Sequence, residues 1–129
     1  NLLPLEWKWT NTSSLYQTLP NVYIKAQEYF DDYLRFSRRI NKPLIVSEIS
    51  YPRDRNHFEP KSPVDARNSC FNFVTNKLKQ SEDDGNGLSA AFFGIFIDET
   101  EKHVPAAIYA SDTQTLSEIA LQKEKEKSK

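Results

Sequence analysis

The 129-residue chain has no methionine, one cysteine and two histidines. A lone thiol, Cys70, excludes an intrachain disulfide framework and a multi-thiolate metal centre. His57 and His103 stand far apart in sequence, which leaves a histidine-built metal site little to work with. No apolar run approaches the roughly 20 residues that a membrane helix needs. Charge of one sign is not in excess either: 17 Lys+Arg against 18 Asp+Glu leave a formal net charge of -1. The chain therefore offers no overall electrostatic footprint for nucleic acid or an acidic membrane surface. It opens Asn1-Leu2-Leu3-Pro4, without an initiator methionine or a signal-peptide pattern. The expectation is that processing removed a leading segment or that the chain is a piece of something longer.

What is present suffices for one core. Hydrophobic residues make up 38% and aromatics 12%, although the mean hydropathy of -0.67 is low, and the length suits a single domain. Residues 1–20 lack a sustained period and read as a loop or strand end carrying Trp7 and Trp9. From about Asn21 to Ile40 apolar residues recur at helical spacing, and Arg38, Arg39 and Asn41 suit a helix C-terminus. Pro43 opens the run Leu44 to Ser50, which reads as a strand buried on both faces. Ser62-Pro63-Val64-Asp65 has the form of a helix start, with a capping serine and proline at the first helical position. Val64, Phe71, Val74 and Leu78 then form its apolar stripe, ending before a turn-rich link at Ser81–Gly87. Leu88 to Ile97 reads as a second buried strand. Thr115 and Glu118 are spaced like a capping box for a last helix. The alternation is that of an α/β fold with a parallel sheet and crossover helices. Two such strands cannot close a barrel or cover themselves, so the segment lacks neighbours.

Within the first strand, Glu48 is the only charge. Alternation places it on the face of Leu44 and Val46, at the C-terminal strand end. An unpaired carboxylate there is costly. Two readings stand together: a catalytic group, or a glutamate paired with a buried arginine such as Arg53 or Arg67. Arg53 and Asp54 are expected to form a structural ion pair, with Arg67 in the same polar network. Trp7 and Trp9 are either an exposed stacking platform or loop anchors. Phe92, Phe93 and Phe96 read first as core. His57 reads as an exposed loop residue and Cys70 as a buried small one. Asn11-Thr12-Ser13 is an N-glycosylation sequon, relevant only in a secretory eukaryotic protein.

The segment KPLIVSEISYPRD (Lys42 to Asp54) resembles the seventh-strand region of glycoside hydrolase family five, especially its endo-β-1,4-mannanases. SPVDAR (Ser62 to Arg67), FFGIF and IYASDTQTL (Ile108 to Leu116) are similar to later stretches of those enzymes. LLPLEWKW (Leu2 to Trp9) is similar to the aromatic loop after their sixth strand. The resemblance implies the C-terminal portion of a (β/α)8 TIM barrel, from the end of strand six through helix eight. Such a fold typically takes about 250 residues. Residues 1–122 would be the partial barrel domain and 123–129 a charged tail.

What the resemblance further implies is a retaining hydrolase of internal β-1,4-mannosidic linkages in mannan. Glu48 would be its nucleophile, and Trp7, Trp9 and Phe93 would contact substrate. The acid/base would lie on strand four, outside this chain. No metal or organic cofactor, nucleic acid or membrane is implied. The partners would be a β-mannan and the missing N-terminal barrel half, in the same or another chain, in a secreted or periplasmic setting. Three positions depart from the family pattern: Asn1 stands for a histidine, Leu3 for a tryptophan, and Phe93 (or Gly94, after a one-residue shift) for a sugar-stacking tryptophan. The alternative is accordingly a degenerate, non-catalytic remnant that binds carbohydrate or serves as a structural subunit.

Overall fold

The structure, a computed structural model, describes residues 1–84 and 87–126. Its elements run α1 (Leu15–Ile40), β1 (Leu44–Ile49), a 3-10 turn (Asp54–Asn56), α2 (Asp65–Asp84), β2 (Leu88–Phe93) and α3 (Thr113–Glu126). The expected order of helices and strands is found. Helix α1 begins six residues earlier than the pattern suggested and takes in Pro20 near its N-terminus. Proline there removes only one early hydrogen bond. Leu15, Val22, Ala26 and Phe30 form the buried stripe, continued by Ser37. The C-terminus closes as the sequence indicated. Asn41 takes a left-handed conformation with φ 52°, and its N–H and that of Lys42 return to the carbonyls of Arg38 and Ser37.

Helix α2 starts at Asp65, and Ser62 does not cap it. The Asp54 carboxylate does so instead, accepting the backbone N–H of Asp65 at 3.1 Å and of Ala66 at 3.4 Å. The helix runs to Asp84, taking in part of the expected link; Gly85 and Asn86 lie outside the described residues. The Thr115–Glu118 capping box is likewise not formed. Thr115 Oγ1 donates to Asn68 Oδ1 at 2.6 Å and accepts from Arg67, while Glu118 accepts from Asn72. Both side chains serve packing between α2 and α3. Of the expected tail, residues through Glu126 continue α3, and the remainder falls outside the described residues.

The two strands pair in parallel with α2 as their crossover. Hydrogen-bonded sheet partners share a face, and the register sets which face each residue takes. Val46 pairs with Ala91 and Ile49 with Phe93, so β1 advances three residues while β2 advances two. That step is a β-bulge at Ser47–Glu48. It lets Val46 and Ile49, 1% and 0% exposed, enter the same core with Phe30, Phe71, Val74 and Leu88. The expectation of strands buried on both faces is not met: Ile45 is 53% exposed and Phe92 60%. Helices cover one side of the sheet, and the other is open. Among the described residues no helix is long and apolar enough to cross a membrane.

Candidate active site

Glu48 stands at the C-terminal end of β1, within the bulge. Simple alternation had placed it in phase with Leu44 and Val46. The extra residue breaks that phase, and bulges of this kind re-aim a side chain beside a functional site. The backbone around Glu48 is held from two sides. Leu2 N–H donates to the Glu48 carbonyl at 2.7 Å and Ser50 N–H to the Leu2 carbonyl at 3.3 Å, while Gly94 N–H reaches the Ile49 carbonyl at 2.9 Å. Leu2 thereby continues the sheet through a parallel bridge to Ile49. Next to it, Ser47 Oγ donates to Asn1 Oδ1 at 2.7 Å.

The Glu48 side chain is half-buried. Among the described residues its carboxylate joins no ion pair and accepts no hydrogen bond. The alternative of a glutamate neutralised by Arg53 or Arg67 is overturned, since both arginines are committed to Asp112. Arg53 donates to its carboxylate at 2.5 and 2.9 Å and Arg67 at 3.0 Å. The expected Arg53–Asp54 ion pair fails for the same reason. Asp54 serves instead as the α2 cap and accepts the Tyr16 hydroxyl at 3.2 Å. Burial, with Asp54 and Asp65 nearby, pushes the Tyr16 phenol up to about 12.

Trp7 and Trp9 share the tight loop after Leu2, closed by Trp7 N–H to the Leu3 carbonyl and Trp9 N–H to the Pro4 carbonyl. Their rings meet edge to face at 4.9 Å, and Trp7 lies 5.6 Å from the Tyr29 ring of α1. Asn21 Nδ2 donates to the Trp9 carbonyl at 3.2 Å, and the Lys25 ammonium lies 5.9 Å from the Trp9 ring. Trp9 is thus wedged between the loop and α1, whereas Trp7 is 37% exposed. Phe93 is not on the open side of the sheet. Its register with Ile49 turns it to the helices, where it meets the Phe71 ring at 4.8 Å. The aromatic on the open face is its neighbour Phe92. Strict alternation along Phe92-Phe93 separates the two rings, but only the register tells which one is covered.

The family model for GH family 5 beta-mannosidase-like proteins matches residues 1–113. The chain belongs to this family. Among solved structures, this family 5 chain is similar to a glycoside hydrolase family 5 mannosidase from Rhizomucor miehei. One mutant structure of that protein gives a TM-score of 0.76 at 15% identity over 94% of this chain and 37% of that one. A second mutant, in complex with mannosyl-fructose, gives 0.77 at 15% identity over 96% and 38%. At such identity the likeness establishes a shared fold, and the chain spans little more than a third of those proteins' length. No curated protein matches it.

The polar centre that sequence reasoning missed in this family 5 chain is Asp112. It is buried, and besides the two arginines it accepts the Tyr109 N–H at 2.8 Å. Burial pushes its carboxyl up, but the hydrogen bond from Arg53, that from Tyr109 and the nearby Arg67 guanidinium hold it below the ordinary carboxylate range. Burial draws the Arg67 guanidinium down to about 10 against the opposing pull of Asp112. The only signal in the sequence was the Ser111-Asp112-Thr113 turn before a helix. His57 is on an exposed loop beside Glu59, 3.3 Å away. Cys70 is buried, as expected, and its thiol is pushed up to about 12.

Proposed function

We propose that the full polypeptide is a retaining glycoside hydrolase cleaving internal β-1,4-mannosidic linkages of mannan, with Glu48 as its nucleophile. The observation that carries this reading is a half-buried carboxylate with no counter-ion among the described residues, on a braced backbone at the C-terminal end of a parallel strand. Barrel enzymes carry their catalytic groups at that end. The chain would supply the end of strand six through helix eight, with residues 1–122 as the barrel portion and the rest a tail. Support comes from the uncovered apolar sheet face at Ile45 and Phe92 and from Leu2 as the stub of a neighbouring strand. The remaining strands, in the same or another chain, would bring the acid/base carboxylate to about 5–5.5 Å from Glu48.

In that assembly a Glu48 oxygen attacks the anomeric carbon as the acid protonates the departing glycosidic oxygen. A glycosyl ester forms on Glu48, and water, deprotonated by the same second carboxylate, releases the sugar with configuration retained. The step uses no metal or organic cofactor. Trp7 is the accessible ring for stacking on a pyranose, with Trp9 buttressing it from α1. Phe93 is left out of this assignment because its ring packs on Phe71. A polysaccharide substrate places the protein outside the cytoplasm, secreted or periplasmic.

The test is Glu48→Ala in the full polypeptide. Reducing-end release from mannan falls to background while the circular dichroism spectrum is kept; unchanged turnover removes Glu48 from the mechanism. The second reading, a non-catalytic carbohydrate-binding or structural subunit, is favoured by Asn1 and Leu3, which stand where the resembling enzymes carry histidine and tryptophan. Mannan binding by the unaltered polypeptide without reducing-end release would establish it.

A further inference from the structure

Asn11-Thr12-Ser13 is the one Asn-x-Ser/Thr sequence in the chain, and its middle residue is not proline. The reading of Glu48 does not use it. Asn11 is exposed, on the loop between Trp9 and α1. Its Oδ1 accepts the Ser13 N–H at 3.1 Å, the Ser13 hydroxyl at 2.6 Å and the Ser14 hydroxyl at 2.8 Å. Among the described residues Nδ2 donates to nothing. The amide carbonyl is therefore saturated with donors, the sequon hydroxyl lies directly on it, and the nitrogen alone is free. Three donors on the oxygen also draw electron density from the amide and make its N–H more acidic.

From this geometry we infer that Asn11 is a modification site, the acceptor of an N-linked oligosaccharide. The inference rests on the secretory location argued above. In the transfer, Nδ2 forms a bond to the anomeric carbon of a lipid-pyrophosphate-linked oligosaccharide. The anomeric carbon–oxygen bond breaks, the lipid pyrophosphate leaves with the electron pair, and the amide proton passes to a base on the transferase. The exposed loop leaves the attached sugar in solvent, and no buried side chain needs to move.

The experiment has two arms. The full chain, purified from its own organism, is treated with peptide N-glycosidase in heavy-oxygen water and digested; the peptide spanning Asn11 is expected as the labelled aspartate form. In parallel, the full chain behind an added signal sequence is translated with microsomes, alone and as Asn11→Gln, Ser13→Ala and Ser13→Thr. The unaltered chain and Ser13→Thr should gain one oligosaccharide step, and Asn11→Gln and Ser13→Ala should lose it. Protease protection of every variant shows translocation directly. A chain that is translocated yet unmodified overturns the acceptor assignment while leaving the location standing. An unlabelled Asn11 peptide from a chain found in the cytoplasm overturns both.

Discussion

Replacing Asp112 by alanine leaves two buried guanidinium groups without the carboxylate they are paired with. The side chains of Arg53 and Arg67 are both 0% exposed, and that of Asp112 is 2%. One carboxylate thus answers two buried cations, and it also takes the Tyr109 N–H. Removing one partner of a buried pair costs about 3–5 kcal/mol, mostly as the penalty on the charge left behind. With two cations stranded, the upper part of that range is expected, a large share of the roughly 5–15 kcal/mol that holds a domain folded. Urea unfolding of the intact polypeptide, followed by circular dichroism, should show the midpoint falling with little change in slope. Asp112→Asn, which keeps an acceptor oxygen but not the charge, should lose less. The pH dependence has a definite sign. The folded carboxyl titrates below its unfolded value of about 3.9, so its stabilisation is present above that pH and fades as pH falls through the lower folded value. Asp112→Asn should flatten that acid limb. A loss of under about 1 kcal/mol in Asp112→Ala would refute the claim that this carboxylate anchors α2, α3 and the Arg53 loop.

Three further outcomes follow from the packing. Asp54→Ala removes the side-chain cap of α2 and should cost about 1–2 kcal/mol in the same unfolding assay; no loss would mean that the helix start is held otherwise. Phe71→Ala, at a site with 0% exposure against Phe93, should cost about 3–5 kcal/mol, and a cost under about 1 kcal/mol would contradict the core assignment. Cys70 is buried with its thiol pushed up to about 12, so a thiol reagent at mildly alkaline pH should label it only after denaturation. Prompt labelling of the native protein would refute its burial.

The sequence by itself determined the local elements of this protein. Helical spacing from Val22 to Phe30, the basic end at Arg38–Arg39 with Asn41, and two β-branched or aromatic runs each report on residues a few positions apart, where backbone preference and burial agree. It also singled out Glu48 as the unusual charge in a strand. What it did not determine depends on residues distant in the chain. The bulge that re-aims Glu48 exists only in the pairing of β1 with β2, since register is a relation between two strands. Whether Phe92 or Phe93 meets the helices follows from that same register. The partner of Arg53 is not its neighbour Asp54 but Asp112, 59 residues on. A buried guanidinium must find a carboxylate wherever packing supplies one, while Asp54 is drawn to the free N–H groups of α2. Those choices are made by charge burial and strand pairing across the whole chain, and so only the tertiary structure decided them.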